Sequence, residues 1–410
     1  MRASALVLAI VLCLAGCSGN SGGSLAIALN AGVEGDALKA LAREWGELNR
    51  VEVQLVELPY SNLFEKEMLD LQSRTGAYDV IMMDDPWFPR LVQRGNLTAL
   101  DPFLGGAPDP DFIKSCLDVC RHPYASGTYY ALPFVGNSQL FFYRRDLFEK
   151  NGLGAPATWL DVLNAAKKIA AAEKIFGYVL RAAPGNAAVT DFMPLYWSFG
   201  AEVFNAEGRP DVASPAAVEA LKFMIELGKY APPGYTGFNA DEVSAHLLQS
   251  TAAMSINWPA WISSMDNPQK SKVVGKVDFA PMPGAKRAGT PELGSWLLAV
   301  PAASKNTELA AQFILWVTAK PQLRKAAFLG NPPTRRSVFK DEDLIAKYRS
   351  YPAQLTSLER ARPRPRTPVW NEIENTFGLY LSKANAGSMA PEEALRRANE
   401  EIVSILERSR

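Results

Sequence analysis

Apolar positions along the chain switch between two periods, and the order of those switches predicts the fold. Residues 25–30 (LAIALN) form a continuous apolar run of strand length, closed by a turn over 31–36. Leu38, Leu41, Trp45 and Leu48 then recur at near-helical spacing, predicting a helix over 37–49. Residues 51–58 alternate as a second strand, and 63–74 read as a helix closed around Gly76. Residues 78–83 (YDVIMM) are a third, apolar strand. Strand, helix, strand, helix, strand predicts a parallel sheet covered on both faces. Ligands of such sheets lie beyond the carboxyl ends of the strands. The loops at those ends carry Asn30, Glu34, Tyr60, Asp84, Asp85 and Trp87.

A second series begins near Leu140. Leu140 to Tyr143 (LFFY) has the density of a buried strand, and Pro133 to Ser138 before it is a turn-rich crossing. Arg145 to Gly152 reads as a short helix closed by glycine. Thr158 caps the next helix and Asp161 completes a capping box. Further strands are expected at 177–180, 252–258 and 294–300. Helices are expected at 192–199, at 215–229 with Ser214 as cap and Pro215 in first position, and at 308–319. Pro391 opens the last helix.

The length of 410 residues is too great for one ordinary core and suits two lobes. The 43 basic and 43 acidic residues cancel, so no field favours nucleic acid as a partner. Met1-Arg2 and the apolar run from Ala3 to Leu12 have the make-up of a signal peptide over 1–16. Leu14-Ala15-Gly16-Cys17 resembles the lipobox of bacterial lipoproteins, which implies lipid on Cys17; the alternative is an ordinary secretory signal. Residues 17–24 are then a flexible tether. Cys116 and Cys120 lie four apart on one helix face, open to a local disulfide in an oxidising compartment or to two buried thiols. His122 alone does not complete a metal site with them, and no metal or cofactor is expected.

Pro133-Phe134, the strand ending in Tyr143, Arg145-Asp146-Leu147-Phe148, Gly152-Leu153, Pro156 and Thr158-Trp159 stand in an order that resembles the extracellular solute-binding proteins of carbohydrate ABC importers. Asp79-Val80 followed by Gly95, Leu97, Leu100 and Asp101 is similar to a further phrase of that family, as are Phe199 to Phe204, Ala252-Ala253-Met254, Pro332 to Arg336 and Pro391 to Leu395. Ser250-Thr251 departs from it where glycine and lysine are common. The resemblance covers residues 25–410. It implies an α/β, two-lobed periplasmic-binding-protein fold, each lobe a mixed, mainly parallel sheet flanked by helices, with several hinge crossings. The implied lobes are 25–136 plus 284–331 and 137–283 plus 332–410. It further implies a monomer, exported and tethered to the membrane by its lipid, that hands its solute to permease subunits driven by a separate ATPase.

Sugar recognition needs aromatic faces against C–H groups and planar polar side chains against hydroxyls. Trp87, Trp197, Trp258, Trp261 and Trp296 are candidate platforms. Asp84, Asp85, Asn137, Asn257, Arg335 and Arg364 are candidate hydrogen-bonding groups. Each has a plainer role: tryptophans pack cores, Asp84 and Asp85 shape the turn before Pro86, and Arg335 suits a hinge ion pair. Residues 360–366 (RARPRPR) read as an extended segment whose arginines pair locally or reach the cleft. Those arginines leave a phosphate- or carboxylate-bearing solute open as an alternative ligand. No nucleophile elbow, dinucleotide fingerprint or P-loop is present, and an enzyme is not expected, although Asp84, Asp85 and Glu34 could supply a glycosidase pair.

Overall fold

A computed structural model describes residues 23–409; the signal peptide, Cys17 and most of the tether lie outside the described residues. The strands of the two larger sheets are β1 (Ser24–Asn30), β2 (Glu52–Leu58), β3 (Val80–Asp84), β4 (Ala131–Val135), β5 (Leu140–Arg144), β6 (Met254–Asn257), β7 (Val277–Ala280) and β8 (Trp296–Ala299).

The first sheet has five strands in the order β2-β1-β3-β8-β4. β1 runs parallel to β2 and β3, and β8 runs antiparallel to β3 and β4. All five residues of β3 are buried, as a strand covered on both faces requires. The helix after β1 spans Val33–Asn49, four residues longer at its start than the apolar period predicts. Its first turn carries Glu34 and Asp36, which suit the positive end of a helix but leave no apolar signal.

The second sheet, β6-β5-β7, is wholly antiparallel, unlike the mainly parallel sheet expected there. Residues 177–180, expected as a strand, lie beside β6 with one parallel bridge from Phe176 to Ala252 and one bond from Val179 N–H to the Met254 carbonyl. Tyr178 N–H bonds the Tyr230 carbonyl instead of another strand, so no ladder forms. Local signals elsewhere behave as expected: Thr158 and Asp161 form a reciprocal capping box, and Ser214 caps a helix with Pro215 in its first turn.

Each sheet has its own core. The first gathers β1, β3, β4 and β8 with Ala310, Phe313 and Ile314. It also takes Val338, Phe339, Leu344, Tyr351 and Leu358, from a stretch expected in the second lobe. The second core joins Phe141, Trp159, Phe192 and Tyr196 to the terminal helices through Trp370, Phe377 and Ile402. A smaller cluster with Leu140, Phe142 and Val243 covers the other face of the second sheet. Two crossing segments touch at Gly136, whose N–H donates to the Pro332 carbonyl at 2.8 Å. A β-carbon there would lie 2.0 Å from the Pro333 carbonyl oxygen, so only glycine lets the segments meet.

Candidate functional site

A cavity of ≈ 430 Å³ opens at the carboxyl ends of the first sheet. One side is formed by Ala31 to Glu34, Tyr60, Asp84, Gly294 and Trp296. The facing side comes from elements of the second core and its satellite: Arg181, Asn186, Thr190, Asp241, Trp258 and Trp261. Asn137 and Arg364 enter from the crossing segments.

The polar wall is built around Arg364. Its guanidinium, 2% exposed, lies 3.1 Å from Asp84, 3.5 Å from Glu292, 3.4 Å from Glu374 and 4.0 Å from Asp85. Arg366 adds a 2.6 Å pair to Asp85. Burial opposes the charge of Arg364, but the surrounding carboxylates outweigh it and hold the guanidinium protonated. Four carboxylates around two arginines leave more acid than base. Burial accordingly pushes Glu292 up to about 8 and Asp85 up to about 7, against the pull of the arginines. Glu374 and Glu34 are also raised, burial being the first cause in each. Asp84 accepts from the Tyr60 hydroxyl at 2.9 Å and from the Asp85 N–H at 3.0 Å, so its carboxylate is fixed toward the cavity from two sides.

The apolar wall is indole and phenol. Trp296 stands edge-on to Tyr60 and Trp87, with ring centroids 5.8 and 5.9 Å away. Across the cavity, Trp258 lies against Gly294; a β-carbon on that glycine would come 2.8 Å from the six-membered ring. The Arg181 guanidinium is 5.8 Å from the Trp258 ring centre. Asn257 sets the loop that carries Trp258: its side-chain oxygen accepts the Trp258 N–H at 2.8 Å, and its nitrogen donates to Ser244.

Of the residues singled out in the sequence, Glu34, Tyr60, Asp84, Asn137, Trp258, Trp261, Trp296 and Arg364 line the cavity. Asp85 and Trp87 lie one layer behind, as partners of Arg366 and of Trp296. Asn30 and Asn257 shape the loops; Asn30 donates to the Ala31 carbonyl. Trp197 lines a second hollow of ≈ 400 Å³, with Arg362 stacked over it at 4.9 Å. Arg335 is remote from the ligand cavity: it pairs with Asp109 at 2.5 Å, donates to the Thr318 carbonyl and covers Phe112. Arg335 is itself buried, and its hold on the buried Thr318 carbonyl and Phe112 ring gives it a structural role.

Sequence reasoning missed Arg181, Asn186, Thr190, Asp241, Glu292 and Glu374. Arg181 and Asp191 are lone charges inside an apolar stretch, and that signal alone would have marked them. The disulfide is corrected as well: Cys116 and Cys120 are free, both buried, and the Cys120 thiol donates to the Cys116 carbonyl at 3.4 Å. Cys120 lies two residues past the end of the helix Lys114–Asp118, in the turn that brings its thiol back to that carbonyl. Among the described residues, no group of three or more His, Cys, Asp and Glu is placed to hold a metal ion. No helix among them is long and apolar enough to cross a membrane.

Residues 31–323 match the model of the bacterial extracellular solute-binding protein family. The chain is 27% identical over 399 residues to a probable amino-acid ABC transporter periplasmic-binding protein of Sinorhizobium fredii, covering 95% of this chain and 90% of the relative. It is 27% identical over 387 residues to a mannitol-binding protein of Pseudomonas aeruginosa, covering 88% and 87%. Its fold superposes on an ABC transporter solute-binding protein from Agrobacterium radiobacter in complex with ribitol, with a TM-score of 0.86, 27% identity and coverage of 94% and 99%. These relatives and this fold are those of binding proteins, not of enzymes. The chain belongs to the bacterial extracellular solute-binding proteins.

Proposed function

We propose that this protein binds a small neutral polyhydroxy compound, a sugar alcohol or monosaccharide, and delivers it to an ABC-type permease. One observation carries the choice of ligand: Trp258 and Trp296 supply apolar faces to a cavity whose arginines are already matched by carboxylates. Hydroxyls suit such a wall, because fixed carboxylates accept from them and indole faces cover the C–H side. A cavity of ≈ 430 Å³ is at the small end of the ~300–1,000 Å³ typical of ligand sites, which favours a single sugar unit over a long chain. The ribitol and mannitol of the relatives are of that size and are uncharged.

A phosphate- or carboxylate-bearing solute is disfavoured. Arg364 and Arg366 are engaged by Asp84, Asp85, Glu292 and Glu374, and Arg335 lies elsewhere. An added anion would meet Asp84 and Glu34 at the wall.

Ligand contacts from both sides of the cavity stabilise a closed pairing of the two lobes, and that form docks on the permease. The proposed lobes are those expected from the sequence, with 336–360 assigned to the first because its apolar residues join that core. We assign Cys17 as the lipidated residue on its lipobox alone; Cys17→Ser releasing the protein from the membrane fraction is the expected outcome. The protein acts as a monomer and leaves its ligand chemically intact. A thermal-shift panel of pentitols, hexitols, hexoses, sugar acids and sugar phosphates tests the reading, since a bound ligand raises the melting temperature by mass action. Stabilisation by an alditol or monosaccharide is expected; stabilisation confined to the acids and phosphates would overturn it.

A further inference from the structure

The cavity contains a buried donor with no partner. Arg181, 5% exposed, lines the cavity, and its Nη2 makes no hydrogen bond. The guanidinium is held through Nε alone. Nε donates to Asp191 Oδ1 at 2.6 Å, while the Arg181 backbone N–H donates to Asp191 Oδ2 at 2.7 Å. Asp191 is itself 4% exposed and sits on the helix Asn186–Ser198 that also brings Asn186 and Thr190 to the wall. The guanidinium is thus held at Nε, and its two Nη nitrogens make no hydrogen bond among the described residues. Leaving a buried N–H of a charged group unpaired is costly, so such an edge marks the position of a missing acceptor.

The second hollow, beside Trp197, offers no comparable opening. Its Arg362 and Glu202 already hold one another, and its Arg366 is taken by Asp85.

We infer that Arg181 is the residue by which this cavity grips an oxygen of a neutral ligand and discriminates against an anion. This rests on the polyol reading above. A free Nη nitrogen of this guanidinium donates to a ligand hydroxyl oxygen beside the Trp258 ring, from which the guanidinium already lies at 5.8 Å. Asp191, paired at 2.6 Å, cancels the charge, so the donor keeps its direction but loses its attraction for a second anion. A free arginine here would recognise carboxylates and phosphates. The Arg181–Asp191 pair converts it into a reader of hydroxyls.

The test is calorimetric binding of two matched probes, ribitol and ribonate, to the wild type and three variants. Arg181→Lys loses the planar fork and is expected to weaken ribitol by about tenfold or more. Arg181→Gln combined with Asp191→Asn removes both charges together, avoids an uncompensated buried carboxylate, and is expected to lose ribitol by a similar factor at near-native melting temperature. Asp191→Asn alone leaves the arginine uncompensated and is expected to raise the ribonate-to-ribitol affinity ratio by about tenfold or more, a shift that a merely structural role would not produce. Wild-type binding of ribitol that survives both Arg181 variants, or a ratio unmoved by Asp191→Asn, overturns the inference and leaves the polyol reading standing. Wild type that takes ribonate more tightly than ribitol overturns both.

Discussion

Gly294→Ala is the most revealing single perturbation of the cavity. The backbone at Gly294 is not in the left-handed region, so alanine fits its dihedrals. The added β-carbon would lie 2.8 Å from two atoms of the Trp258 six-membered ring, where ordinary contact begins at 3.4 Å. The ring must give by about 0.6 Å, since the glycine is held by its N–H bond to the Asn137 carbonyl at 2.9 Å. Trp258 lines the cavity, so a shift of its ring changes the wall that the ligand meets. Displacing a stacked ring forfeits part of an interaction worth about 0.5–1.5 kcal/mol, which is roughly two- to tenfold in Kd. The fold should hardly notice: alanine reduces the freedom of the unfolded chain, and Tm should move by less than about 3 °C. Isothermal calorimetry with ribitol, paired with a melting curve, reads both quantities. Unchanged affinity would refute the placement of Trp258 against the ligand. A large fall in Tm would show instead that the ring is pinned and the strain has entered the core.

Three further outcomes follow from the same geometry. Glu292 is raised to about 8 by burial, so the folded state holds a proton that the unfolded state releases near pH 4.5. Its stabilising contribution is complete below that value and is lost as pH rises toward 8, at up to about 1.4 kcal/mol per pH unit. Urea unfolding at pH 5.5 and pH 8 should show the loss, and Glu292→Gln should shrink it; an equal loss in the variant would count against the assignment. Arg335→Ala should cost about 2 kcal/mol of stability by breaking its Asp109 and Thr318 bonds, yet leave calorimetric affinity unchanged. Cys116 and Cys120 should label with a thiol reagent only after denaturation, and reductant should not move Tm; a mapped Cys116–Cys120 disulfide peptide would contradict this.

The sequence revealed the first half of the fold better than the second because its strands are long apolar runs between helices of clear period. β1 and β3 announce themselves in this way, and Glu34, in the helix that follows β1, and Asp84, the last residue of β3, do reach the cavity. The second sheet was harder. Its parallel element at 177–180 has strand-like residues, but it divides its N–H groups between β6 and the Tyr230 carbonyl, a tertiary choice with no local mark. The site was legible where a turn follows an apolar strand, as at Trp258, and at Trp296, which opens β8. It was illegible where charge converges from distant segments. Arg364 and Glu374 are neighbours in the chain, but Asp84 and Glu292 come from distant segments, and only the folded arrangement makes them one cluster. Arg335 misled because a hinge-like context suits an ion pair as well as a ligand contact.

The central claim is that a neutral polyhydroxy ligand sits between Trp258 and Trp296. A crystal structure with ribitol bound tests it most directly. The account predicts ligand carbons against both indoles and ligand hydroxyls within hydrogen-bond reach of Asp84 and the Arg181 guanidinium. Ribitol seated in the hollow beside Trp197, with the cavity between the two indoles unfilled, would contradict it.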